Sequence, residues 1–183
     1  MDRRLLTVAL AAIFLAVLPA SGLADGNQPP ADSPSLALFE GKQIDLSKGW
    51  GDARACLVAP GGGFVECFRD QAGLLARESV LHAQIASSPD IAATSCSSPL
   101  RLFADASYGG RELDFYDRGY WQNLSTWSFD NQLSSYKVGA CGVYLADYAN
   151  GGGSWYPGNT SPGHGEPSML SGWNDRISSI YIQ

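Results

Sequence analysis

The sequence predicts a mainly β protein: a double Greek-key β-sandwich preceded by a small β-hairpin and a helix. Three observations carry this expectation. Residues 96–183 hold two matched blocks that recur in the same order after about 42 to 44 residues, so one supersecondary unit is present twice. The strand-like runs are short and are separated by glycine, proline and asparagine. Ahead of the repeat, Gln71 to Ala86 carries Leu74, Leu75, Leu81 and Ile85 at helical spacings.

At the N-terminus, Arg3 and Arg4 precede an apolar run from Leu5 to Leu18. Pro19 with the small residues Ala20, Gly22 and Ala24 then offers a cleavage site, completing the pattern of a secretory signal. Cleavage is expected after Ala24, with Gly22 as second choice. The run is shorter than the roughly 20 residues of a membrane span, and no later stretch is long or apolar enough, so the mature chain is expected to be secreted and free of the membrane. Residues 25–35, rich in proline and small polar residues, read as a flexible spacer.

Residues 36–88 read as a small ββα module. Leu36 to Phe39 and Gln43 to Leu46 are strand-like and are followed by Gly49-Trp-Gly51. Ala55 to Ala59 and Gly63 to Phe68 flank the turn sequence Pro60-Gly-Gly-Gly63. Asp70 is placed to cap the helix, and Ser87-Ser-Pro89 to break it. The helix is expected to pack on the hairpin, with His82 as a surface or boundary residue.

Export permits disulfides, and the four cysteines allow three pairings. Cys56 with Cys67, across the hairpin, and Cys96 with Cys141 are the favoured pairs. Zinc is disfavoured: no CxxC occurs, and His82 and His164 lie far from any cysteine cluster. A net charge of −6 without a basic patch argues against nucleic acid as a partner.

In the repeat, Leu102-Phe-Ala-Asp-Ala-Ser-Tyr-Gly-Gly110 returns as Tyr144-Leu-Ala-Asp-Tyr-Ala-Asn-Gly-Gly152, and Phe129-Asp-Asn-Gln-Leu-Ser-Ser135 returns as Trp173-Asn-Asp-Arg-Ile-Ser-Ser179. Motifs of about 100–138 and 142–183 follow. The blocks Asp130 to Ser135 and Asn174 to Ser179 each offer carboxylate, amide, hydroxyl and carbonyl oxygens, the donors of a hard cation such as calcium. The competing reading is that these residues only form turns and strand ends.

These blocks resemble the βγ-crystallin superfamily. Phe103, Tyr108 and Gly110 match its corner pattern, and the two six-residue stretches match its calcium signature; Leu145 and Asn150 depart from the second corner, where Gly152 is retained. The resemblance implies two Ca2+ ions that clamp the motifs together. Asn131, Gln132 and Ser134, beside Asp130, would serve as ligands in one stretch, and Asp175, Arg176 and Ser178, beside Asn174, in the other. It further implies Ala104 and Ala146 as carbonyl donors from the other motif's hairpin. With one carboxylate in each stretch, dissociation constants on the order of 10⁻⁵ to 10⁻³ M are expected.

No catalytic residues are expected: the chain has no nucleophile elbow, no His-Glu-x-x-His and no phosphate loop. The tryptophans 121, 127, 155 and 173, with the tyrosines, read more simply as core and corner aromatics than as a sugar platform, although exposed aromatics could still bind glycans. A non-catalytic structural or interaction role follows. Two other roles fit the same fold. One is inhibition of an extracellular peptidase, by resemblance to bacterial metalloproteinase inhibitors of similar fold, with Gly151 to Pro167 as reactive segment or plain loop. The other is binding to glycan or a cell-envelope component.

Overall fold

The computed structural model of the protein describes residues 35–62 and 64–183; the expected signal and all but the last residue of the expected spacer lie outside the described residues. Four short strands come first: β1 (Leu36–Phe39), β2 (Lys42–Asp45), β3 (Ala55–Val58) and β4 (Val65–Phe68). Two helices follow, α1 (Gln71–Ser87) and α2 (Pro89–Thr94). The first Greek-key motif contributes β5 (Ser95–Asp105), β6 (Gly109–Asp117), β7 (Trp121–Asn123) and β8 (Ser135–Lys137). The second contributes β9 (Val143–Ala146), β10 (Gly165–Glu166) and β11 (Ser179–Ile182).

Two sheets form, one ordered β10-β8-β5-β6-β3-β4-β1-β2 and the other β7-β11-β9. The motifs exchange strands: β7 of the first pairs with β11 of the second, and β10 of the second pairs with β8 of the first. The repeat is therefore one folding unit, because each motif completes its partner's sheet. In the second motif the strand matching β6 is reduced to a single bridge, Ala146 to Trp155, at the place where Phe103 pairs with Glu112 in the first.

The N-terminal segment does not stand beside this sandwich; its strands continue the first sheet. β3 runs parallel to β6, with Cys56 opposite Leu113 and Val58 opposite Phe115, so the edge that β6 would expose is paired. Trp50 Nε1 donates to the Trp127 carbonyl at 2.7 Å, Ser128 Oγ donates to the Leu46 carbonyl at 2.6 Å, and Gly61 N–H donates to Asp117 Oδ1 at 2.7 Å. Ala37, Leu46, Trp50 and Val58 share one core with Leu113, Phe115, Phe129, Leu133, Ile177 and Ile180.

The favoured cysteine pairs are both formed. Cys56 and Cys67 face each other across β3 and β4, and Cys96 at the start of β5 is tied to Cys141 between the motifs. Asp70 caps α1 as expected, its carboxylate accepting from Gly73 N–H at 2.9 Å. The helix buries Leu74, Leu81 and Ile85 against Ala55, Leu57 and Tyr116 on the outer face of β3 and β6. At roughly 1.5–3 kcal/mol for each fully buried large apolar side chain, this second small core holds the helix on the sheet.

Candidate metal centre

The sixth and fifth residues of each six-residue stretch have separate tasks. Ser135 and Ser179, the sixth, are fully buried. Ser135 Oγ donates to the Asp105 carbonyl at 2.6 Å and accepts from Tyr108 N–H at 3.0 Å; Ser179 Oγ donates to the Tyr148 carbonyl at 2.6 Å and accepts from Gly151 N–H at 3.0 Å. Each serine thereby pins a folded hairpin whose backbone turns through the left-handed region, at Ser107 and Tyr108 in one motif and Asn150 and Gly151 in the other.

These contacts correct the register read from the sequence. Tyr108 corresponds to Gly151 and Gly110 to Gly153, both of the latter pair at positive φ, 73° and 74°. Gly152 is therefore not the counterpart of Gly110. A Cβ on Gly153 would come within 2.0 Å of Asp147 Oδ1, so the space there is as restricted as at Gly110, where it would meet Asp105 Oδ2 at 2.7 Å. Likewise Ala146 is the counterpart of Phe103 rather than of Ala104: the Ala146 carbonyl accepts from Ser178 N–H, as the Phe103 carbonyl does from Ser134 N–H, both at 2.9 Å. Sequence alignment preferred the Ala-Asp match, which lies one residue out.

The fifth residues, Ser134 and Ser178, face the partner stretch. Ser134 Oγ donates to Asp175 Oδ1 at 3.3 Å and Ser178 Oγ to Asn131 Oδ1 at 3.5 Å. Asn131 and Asp175 are again a left-handed pair, with φ of 54° and 53°. Their amides donate crosswise, Asn131 N–H to the Ile177 carbonyl and Asp175 N–H to the Leu133 carbonyl, each at 3.0 Å. The intervening Leu133 and Ile177 are buried in the core. Each of these oxygen pairs is thus composed of one residue from each motif.

The donor set fits a hard cation. Contacts of 3.3 and 3.5 Å exceed the usual 2.5–3.0 Å of an O–H···O hydrogen bond. Two oxygens at right angles around one calcium, each near 2.4 Å from it, would stand about 3.4 Å apart. Asp130 and Asn174 act beside the pairs: Asn131 Nδ2 donates to Asp130 Oδ2 at 3.2 Å, and Asn174 Nδ2 to Asp175 Oδ2 at 2.7 Å. Arg176 turns its guanidinium to Asp147 Oδ2 at 2.8 Å and to the Gly172 carbonyl at 3.3 Å, while Gln132 Oε1 accepts from Arg111 and its Nε2 donates to the Ser128 carbonyl at 3.0 Å. For Gln132 and Arg176 the donor available to an ion is therefore the main-chain carbonyl. Among the described residues no three His, Cys, Asp or Glu side chains gather as a metal cluster, so the candidate rests on amide, hydroxyl and carbonyl oxygens with one carboxylate.

Two further features were missed by sequence reasoning. Under α1, Arg101 on β5 meets Glu78, whose contact is a close ion pair, Glu112 at 3.1 Å and Asp114 at 3.3 Å. Tyr116 OH lies 3.2 Å from Glu78 Oε1 and 2.9 Å from Nε2 of His82, an exposed residue as expected. Burial drives Asp114 well above the usual carboxylate range, with Glu112 adding to it and Arg101 opposing. Burial also raises Glu112, against the pull of Arg101. Alternating polar residues on β6 were a signal, but only the covering helix makes them interior.

The second feature is aromatic. Trp127 is buried as expected, whereas Trp155 is 52% exposed and Tyr148 67% exposed, contrary to a core assignment for residue 155. Trp155 belongs to the segment expected as a reactive or plain loop. That segment is tied down at Tyr156, which is buried and donates its N–H to the Leu145 carbonyl, at Thr160, whose carbonyl accepts from Val143, and at β10.

No protein-family description matches the chain, and no curated protein does. Among solved structures, the chain is similar to a βγ-crystallin domain from Ciona intestinalis, with 22% identity, 47% of this chain and 100% of that one covered, and a TM-score of 0.40. It is also similar to βγ-crystallin domains from Clostridium beijerinckii (22% identity, 46% and 97% covered, TM-score 0.39) and Flavobacterium johnsoniae (21% identity, 46% and 92% covered, TM-score 0.36). On its own geometry, two pinned hairpins with exchanged strands, the C-terminal half of the chain has a βγ-crystallin-type double Greek-key fold.

Proposed function

We propose that the protein is a secreted, non-catalytic calcium-binding module in which two ions hold the two Greek-key motifs together. The observation that supports this reading is the pair of oxygen pairs, Ser134 with Asp175 and Ser178 with Asn131, each drawn from both motifs. Bound calcium would supply divalent charge that draws the two stretches together across the motif boundary. Asp175, Ser134, Asn131 and Ser178 would hold it with side-chain oxygens, and Gln132 and Arg176 with their carbonyls. Residues further out keep these oxygens in place: the buried Leu133 and Ile177 anchor the stretches, and Ser135 and Ser179 fix the hairpins behind them.

Secretion accords with the N-terminal signal pattern and with two disulfides, which persist in oxidising compartments. Few formal charges at the sites suit the high calcium of an extracellular medium. Equilibrium dialysis of the chelator-stripped protein against radioactive calcium tests the reading directly. Two ions per chain are expected, falling to one in Ser134→Arg and one in Ser178→Arg; a stoichiometry unaffected by either substitution would place the ions elsewhere.

A further inference from the structure

The outer face of the small β7-β11-β9 sheet bears a row of rings. Trp121, Tyr181 and Tyr144 lie side by side across the three strands, Tyr181 being in register with both others. Their centroids are 5.6 Å apart for Trp121 and Tyr181 and 6.0 Å for Tyr144 and Tyr181. The neighbouring row, Ala146, Ser179 and Asn123, is small or polar. Trp155 bridges to Ala146 and its ring reaches both ends of the aromatic row, stacked on Tyr144 at 5.0 Å and 5.6 Å from Trp121. Its indole N–H is fixed on the Gly151 carbonyl at 2.8 Å, so the ring is held in place even though it is half exposed. Gly151 makes the close approach possible, since a Cβ there would lie 2.2 Å from the Trp121 ring.

The charge pattern says what such a face suits. In a chain of net charge −6, the three strands carry no Asp, Glu, Lys or Arg. No outward position on them is a large aliphatic residue; Val143, Leu145, Ile180 and Ile182 all point inward and are buried. Along the edge lie neutral hydrogen-bonding groups: Asn123, which is bonded to Asn150, and Gln183, which is bonded to Tyr144 OH. The corresponding face of the large sheet is closed by α1. A ligand complementary to this surface is uncharged, presents flat C–H faces to the rings and carries hydroxyl groups for the amide rim. We propose that this face is a binding site for neutral polysaccharide, with Trp155 and Tyr144 as the stacking platform. None of the four platform rings lies in a calcium stretch, although the neighbouring row includes Ser179, the last residue of one.

Isothermal titration of the full secreted chain with two neutral β-1,4-linked hexasaccharides, cellohexaose and chitohexaose, tests this, with chelator and with calcium present. Binding of at least one, with affinity reduced about tenfold or more in Trp155→Ala and largely restored in Trp155→Phe, is expected, tenfold being 1.4 kcal/mol. Leu170→Ala, an exposed apolar residue off this face, should bind as the wild type. Circular dichroism and melting of Trp155→Ala establish that it is folded. Absence of heat with both sugars at millimolar concentration, or equal binding by Trp155→Ala, overturns the proposal. Binding instead to neutral phosphatidylcholine vesicles, or Trp155-dependent self-association without sugar binding, overturns it as well.

Discussion

Ser134 of the first motif and Asp175 of the second meet at 3.3 Å, while their repeat counterparts Ser178 and Asn131 meet at 3.5 Å. The duplication has thus produced two oxygen pairs that differ chiefly in one group, a carboxylate at Asp175 and an amide at Asn131. Divalent cations distinguish these, because an amide oxygen contributes a dipole where a carboxylate contributes a full charge.

On the proposed calcium reading the two sites should be unequal, with the Asp175 site the tighter. Asn131→Asp should strengthen the weaker site by about one order of magnitude, approaching the other. Calorimetric titration of that variant should turn a two-step isotherm into one closer to a single step; an unchanged isotherm would show that Asn131 is not a ligand.

Gly151 packs on the face of Trp121 with φ of 74°. Gly151→Ala adds both a left-handed non-glycine residue and a steric collision, together about 1–3 kcal/mol or more. The urea midpoint should fall, and near-ultraviolet circular dichroism should report a displaced tryptophan.

Asp114 is fully buried among Arg101, Glu78, Glu112 and Tyr116, with Arg101 Nη1 at 3.3 Å from its Oδ2. Gln71 bonds Glu112, and His82 reaches the same cluster through Tyr116. Burial raises the Asp114 carboxyl, so its neutral form is favoured in the fold. The contribution is complete below the unfolded-state value of about 3.9 and is lost as pH rises through the higher folded value. The exposed Glu40 and the partly buried Asp45 act in the opposite sense, because hydrogen bonds from Arg69 and Ser47 lower them. Comparison with Asp114→Asn separates the two effects: the variant should gain on the wild type by about 1–3 kcal/mol between pH 4 and pH 8. Urea midpoints across that range check it, and a constant difference would contradict the assignment.

The repeat, the two disulfides and the Asp70 cap were legible in the sequence: blocks recurring in one order, cysteines in an even number flanking a hairpin, and a carboxylate ahead of a helical run. The one-residue slip at Gly153 was not, since an Ala-Asp coincidence at residues 146 and 147 outweighed a register set by Ser179 and the Tyr148 carbonyl. The parallel pairing of β3 with β6 was equally hidden. It joins segments distant in the chain, and strand composition does not name a partner. The exposure of Trp155 goes with its single bridge to Ala146 at the margin of the small sheet, a pairing that composition does not name.

The central claim, that cations join the motifs through residues 131, 134, 175 and 178, is tested most directly by thermal unfolding of the chelator-stripped, oxidised protein across a calcium titration. At free calcium about one hundred times the dissociation constant, each site should add about 2.7 kcal/mol, a rise of about 5 to 10 °C in Tm. The rise should be roughly halved in Ser134→Arg or Ser178→Arg and absent when both are changed. A melting temperature indifferent to calcium up to several millimolar, beyond the range of extracellular modules, would contradict the account.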